Sequence, residues 1–125
     1  MYINRDKPSS ANFVTAYTPG EVTVGSRVIR TSFIMDNEQI FADWPVRDAS
    51  ELTIAHLETA IARKPELILL GTGSRILFPA IEVLTGVSSR GIGLEVMDTP
   101  AACRTFNILA GESRRVVAAV IIDSI

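Results

Sequence analysis

Four consecutive apolar residues, Leu67-Ile68-Leu69-Leu70, run straight into Gly71-Thr72-Gly73-Ser74-Arg75. A strand with no polar alternation is a strand covered on both faces, the situation inside a parallel sheet packed between two layers. A second run of this kind, Val116-Val-Ala-Ala-Val-Ile-Ile122, reads as a central strand of the same sheet. The fold class is therefore α/β. The glycines at the strand exit have two readings. They let backbone N–H groups approach a ligand, often an anion, or they serve only a tight exit that needs a positive φ.

A chain of 125 residues is expected to form a single domain with a real core. Residues 1–12, with Pro8, Ser9 and Ser10, read as a loose N-terminal arm. From about 13 to 44 the texture is that of an antiparallel β meander. Strand-like Phe13 to Thr18 and Glu21 to Val24 are joined by the Pro19-Gly20 turn, and Gly25-Ser26 precedes a longer strand, Arg27 to Met35. Alternation there puts Ile29, Thr31, Phe33 and Met35 on one face. Asp36-Asn37-Glu38 turns into Gln39 to Trp44, with Ile40, Ala42 and Trp44 pointing one way.

After Pro45 the period changes to that of a β-α-β-α-β unit. Asp48 and Ser50 are candidate N-caps, with Glu51 at capping-box spacing from Asp48. Ile54, Leu57 and Ile61 share a helix face ending before Pro65. A short helix is expected from about Pro79, stopped by Gly86, then a strand from Ile92 to Met97. Asp98-Thr99-Pro100 is a helix start with Thr99 as cap, Ala102, Phe106 and Leu109 as the buried stripe and Gly111 as C-terminal cap. The expected architecture is a three-layer domain, the meander packed beside a small mixed sheet.

Twelve basic and fourteen acidic residues give a formal charge of −2, which argues against a nucleic-acid binder, whose surface would be net basic. One cysteine and one histidine exclude an intrachain disulfide, a cysteine metal cluster and a His/Cys zinc site. No metal site and no cofactor are expected. The opening residues lack the apolar core of a signal peptide, and no apolar run approaches the ~20 residues that span a bilayer. The expectation is a cytoplasmic protein that does not insert into membranes.

The Gly71-to-Ser74 turn fails both nucleotide fingerprints. A dinucleotide motif needs a third glycine where Ile76 stands, and the Gly-Lys-Ser/Thr end of a phosphate loop is absent. Because ligands in α/β sheets sit outside the carboxyl ends of strands, Gly73, Ser74, Arg75, Asp98, Thr99 and Arg104 are the candidates for binding a polar or anionic ligand. Asp98 serves equally well as a helix cap, and Arg104 faces solvent or a partner. Cys103 reads as a core cysteine rather than a reactive thiol, His56 as an exposed surface histidine, and Arg114-Arg115 as a solvated loop pair or a partner contact. No catalytic constellation is complete.

Leu69-Leu70-Gly71-Thr72-Gly73, Phe78-Pro79 and the run from Gly91 through Met97-Asp98-Thr99 to Leu109 resemble a domain-of-unknown-function family. Its eukaryotic members include a mitochondrial respiratory complex I assembly factor and an adipogenesis-associated protein. The resemblance implies a three-layer α/β domain around a mixed sheet and no established catalytic residues. It also implies action through protein contacts. Without an Arg-rich, acid-poor transit segment, the chain looks like a bacterial member. Two functions follow as expectations: a non-enzymatic protein-interaction domain assisting assembly of a respiratory or membrane complex, or a binder of small anionic ligands (or an enzyme) using the strand ends.

Overall fold

In the computed structural model, residues 11–123 are described, so most of the expected N-terminal arm lies outside them. Asn12, at its end, donates from its backbone N–H to Asn37 O at 2.9 Å and from Nδ2 to Asp36 O at 2.9 Å. Strands β1 (Val14–Thr18), β2 (Glu21–Val24) and β3 (Arg27–Ile29) form an antiparallel sheet in that order. The central sheet combines β4 (Phe33–Met35), β5 (Ile40–Phe41), β6 (Leu67–Gly71), β7 (Gly93–Met97) and β8 (Val116–Val120) in the order β5-β4-β8-β6-β7. The two apolar runs are its inner parallel pair, Leu67 facing Val116 and Gly71 facing Val120. Every residue of β8 is buried, as a strand covered on both faces requires.

Helices α1 (Glu58–Ala62) and α2 (Ile81–Ser88) cover one face of this sheet over Ile34, Ile68, Leu70, Val117 and Ala119. On the other face, α3 (Thr99–Gly111) and the three-stranded sheet pack over Phe33, Met35, Leu69, Val116, Ala118 and Val120. The side-chain amide of Asn107 in α3 accepts from Val14 N at 2.9 Å and donates to Val14 O at 2.8 Å, fastening β1 to the helix.

Several boundaries differ from the sequence reading. The strand expected over 27–35 is two, β3 in the outer sheet and β4 in the central one. Segment 30–32 carries the chain between them, held where Ser32 Oγ accepts from Ile122 N and Ser32 O accepts from Trp44 N, both at 2.9 Å. Its alternation survives the break, since Ile29, Phe33 and Met35 share one core and Ile34 enters the other. Ile40 and Trp44 do not point one way: Asp43 has φ 62, a left-handed turn that sends Trp44 into the α1/α2 core while Ile40 packs on the α3 side. The helix expected before Pro65 is two 3-10 turns, Ala49–Glu51 and Ile54–Leu57, leading into a short α1. Asp48 caps the first by accepting from Ser50 N, but Glu51 reaches Arg47 N rather than Asp48.

Helix α2 begins at Ile81, after Ala80 at ψ 150, two residues later than the expected start at Pro79. Gly86 does not stop it. It lies inside the helix, where a Cβ would come within 3.0 Å of Ile54 Cδ1. The cap of α3 is Asp98, whose carboxylate accepts from Ala101 N at 2.9 Å, and Thr99 is the first helical residue. Gly111 remains helical, and the left-handed residue beyond the helix is Ser113, φ 65.

Candidate functional site

The candidate residues after β6 do meet at the carboxyl end of the central sheet, tied chiefly to one another. Thr99, buried at the head of α3, is the node. Its hydroxyl accepts from Gly73 N at 2.8 Å and donates to Ile121 O at 2.7 Å, joining the exits of β6, β7 and β8. Thr99 N returns a bond to Gly73 O at 2.8 Å. Thr72 Oγ1 donates to Arg75 O at 2.6 Å and accepts from Leu77 N at 3.0 Å, so it folds the loop onto itself. Gly73 has φ 98, and a Cβ there would fall 2.5 Å from Asp123 Oδ2, so both backbone and space call for glycine. The carboxylate of Asp123 accepts from Ser74 N at 3.0 Å and Ser74 Oγ at 3.1 Å. The backbone N–H of Gly73 and of Ser74, the donors most suited to an anion, are thus partnered within the chain.

Arg75 leaves this clasp exposed, near enough to Asp48 to help hold that carboxyl below its usual range, after the larger effect of the bonds from Ser50. Arg104 is exposed on α3, and among the described residues no hydrogen bond or ion pair joins it to the loop. Thus Gly73, Ser74, Asp98 and Thr99 come together, Arg75 stands at their edge, and Arg104 stands apart. Asp123, a member of the clasp, escapes sequence reading because it is 49 residues from Ser74.

Beyond the clasp, residues 75–81 alternate. Leu77 packs against the α1/α2 core and Pro79 is buried, while Ile76, Phe78 and Ile81 are 50%, 68% and 64% exposed. Three large apolar side chains turned to water within six residues are unusual beside a filled core. A pocket of about 380 Å³ opens on the other side of Asp123. It is bounded by the crossing segment Arg30-Thr31-Ser32, by Asp43 to Arg47 and by Ile122.

Cys103 is buried, and burial pushes its thiol up to about 11 against the opposing pull of Arg104, so it stays protonated at neutral pH. His56 is partly buried. Its Nδ1 accepts from Thr53 N at 3.0 Å and its carbonyl accepts from Trp44 Nε1 at 2.8 Å, so it caps a turn rather than decorating the surface. Arg114 and Arg115 both grip Glu66, with Nε–Oε1 3.3 Å and NH1–Oε2 3.8 Å. No group of three or more His, Cys, Asp or Glu side chains among the described residues is placed to hold a metal ion.

Residues 14–121 match the family described as Protein of unknown function (DUF498/DUF598). The chain belongs to this family. It is 27% identical over 123 residues to the "13 kDa major membrane protein" of Francisella tularensis subsp. holarctica, covering 97% of this chain and 99% of that one. It is 32% identical over 122 residues to the "NADH dehydrogenase [ubiquinone] 1 alpha subcomplex assembly factor 3" of Danio rerio, covering 95% of this chain and 69% of the relative. A crystal structure of a Bordetella parapertussis protein superposes with TM-score 0.86 at 37% identity, over 93% of this chain and all of that one. The family's relatives thus include a complex I assembly factor, and this bacterial neighbour has the same α/β fold. No described helix is long and apolar enough to cross a membrane.

Proposed function

We propose that this family member is a non-enzymatic protein-interaction domain that assists assembly of a respiratory or membrane protein complex, working from the cytoplasm. The observation that carries the proposal is the outward row Ile76, Phe78 and Ile81, flanked by Arg75. An apolar row beside an exposed guanidinium has the composition of an interface core, in which aromatic residues and arginine are enriched. It is mounted on a rigid base, because the clasp below it is closed by Thr72, Thr99 and Asp123. The assembly-factor relative supports a protein as the occupant.

The test is affinity capture from detergent-solubilised membranes of the source cell, comparing the wild-type chain with Phe78→Asp, Arg75→Glu and Arg104→Glu. The expected result is a complex subunit recovered by the wild type and reduced at least about tenfold by Phe78→Asp, a loss of about 1.4 kcal/mol. Arg75→Glu is expected to weaken capture less, and Arg104→Glu tests whether the outer face of α3 takes part. Recovery of the same proteins by all four chains would refute the proposal. Melting temperatures should agree across the set, because these side chains are exposed.

A further inference from the structure

We propose that the outer edge of β7 takes an extended segment of a partner protein as a sixth strand of the central sheet, with a lysine or arginine of that segment opposite Glu95 and apolar residues opposite Leu94 and Val96. This surface is separate from the row of Ile76, Phe78 and Ile81, none of which belongs to β7. It rests on the backbone of the strand, whatever occupies that row.

An edge strand presents a line of N–H and C=O groups ready to pair with another chain, and folded proteins blunt such edges. Three of the four sheet edges among the described residues are blunted. Strand β5 is two residues long, β3 is three, and β1 shifts register between Val14 and Ala16. Strand β7 is not blunted: it runs five residues in unbroken parallel register with β6 and contains no proline. The bonds at its two ends set the phase of the ladder. Gly93 N donates to Glu66 O at 3.0 Å, and Met97 O accepts from Thr72 N at 2.9 Å. In a parallel ladder alternate residues bond to a given neighbour, so Gly93, Glu95 and Met97 face β6. The N–H and C=O of Leu94 and Val96 point outward, and among the described residues no hydrogen bond engages them.

Outward donors and acceptors on alternate residues define a strand as the occupant, because an extended chain returns each bond in register. The side chains define which strand. Leu94 and Val96 pack against the α1/α2 core and are only partly buried, so apolar residues beside them on an added strand would extend their cover. Glu95, midway along β7 on the opposite face, is exposed and has no ion pair or hydrogen bond among the described residues. An unpaired carboxylate at that point favours a basic residue across from it. It also disfavours a second copy of this chain. Two β7 strands paired antiparallel about their centres would set Glu95 against Glu95, and like charges directly opposite are destabilising. Charge complementarity therefore selects a basic segment of a different protein.

The test is titration of the ¹⁵N-labelled full chain with the capped peptide acetyl-Thr-Val-Lys-Val-Thr-amide, its counterpart with Glu in place of Lys, and a form N-methylated on the three central residues. Saturable shifts from the lysine peptide are expected, largest at the amides of Leu94 and Val96. The glutamate peptide should bind at least about fivefold more weakly, and the N-methylated form, which lacks the central donors, should give no saturable shift. Glu95→Lys, at an exposed side chain, should reverse the preference between the two charged peptides, and an unchanged spectrum away from β7 certifies its fold. Five results would each overturn the proposal: no saturable shift up to about 10 mM, equal affinity for the lysine and glutamate peptides, binding of the N-methylated form, a preference unaltered by Glu95→Lys, or shifts at Leu94 and Val96 that grow with protein concentration alone, which would assign the edge to a second copy. None of these readings depends on Phe78, so this proposal and the capture experiment above fail separately.

Discussion

The two ends of the central sheet are built with different chemistry. At the carboxyl end, the buried node is neutral: the Thr99 hydroxyl links Gly73 N and Ile121 O, and backbone bonds run beside it. At the amino end, charges close the structure. Asp36, just past β4, meets Arg63 at 2.6 Å, and Glu66, just before β6, takes both Arg114 and Arg115. The node of the carboxyl end is thus tied by neutral bonds, with the Asp98 and Asp123 carboxylates accepting bonds at its rim. The amino end is tied by pairs that acid and salt can both weaken. A closely hydrogen-bonded strand exit is a suitable base for exposed recognition residues, and the loop bearing Phe78 springs from that end.

The sharpest break of this contrast is Thr99→Val. It leaves a buried N–H and a buried C=O without their bridge, which should cost about 2–4 kcal/mol of unfolding free energy in denaturant titration. The loss should be the same at pH 4 and pH 7, and Thr99→Ser should restore most of it. A loss that changed with pH would mean the Thr99 bridge is coupled to the Asp98 and Asp123 carboxylates beside it or to the ionic end.

Asp36→Asn should cost less, about 1–2 kcal/mol at neutral pH, after discounting for the solvent that reaches the pair. Burial alone would raise the Asp36 pKa. The bond from Arg63 and those from the N–H groups of Glu38 and Gln39 outweigh it and hold the carboxyl below its ordinary value. A depressed folded pKa gives stability that is fully present above the unfolded value of about 3.9 and is lost as pH falls through the folded value. The gap between wild type and Asp36→Asn should therefore close in acid, as followed by melting temperature against pH. A constant gap would sink the ionic account of this end.

Glu66→Gln should have the smallest effect, under about 1 kcal/mol, because its pairs with Arg114 and Arg115 are exposed. In about 1 M salt, where screening acts over about 3 Å, the difference from wild type should vanish. Persistence of the difference at high salt would mean that Glu66 acts through packing rather than charge.

Much of the fold is legible from residue order because burial writes itself into periodicity. Leu67–Leu70 and Val116–Val120 have no polar alternation, so they announce a covered parallel pair, and Ala102 and Phe106 mark the buried side of α3. The resemblance on Gly71-Thr72-Gly73 and Met97-Asp98-Thr99 likewise leads to the family that residues 14–121 match. The site was legible only in part. Gly73, Ser74, Asp98 and Thr99 could be brought together by reasoning that parallel strands end on one side, but their partners Ile121 and Asp123 come from β8, whose neighbours depend on sheet order. Arg30 and Arg47 carry no local signal at all, since the pocket they line forms only where the chain crosses between sheets.

By itself, then, the sequence determined which segments are covered on both faces, where the parallel strands end and which family the chain falls in. Each of these depends on local pattern, and burial of an apolar side chain is decided largely by its own chemistry. Only the tertiary structure decided that residues 27–35 divide between two sheets, that Thr99 serves as a clasp rather than as a cap, and that Phe78 faces water. Those outcomes depend on which distant N–H, C=O or side chain completes each polar group. A buried donor must find a partner wherever the fold supplies one, and no local pattern records where that will be.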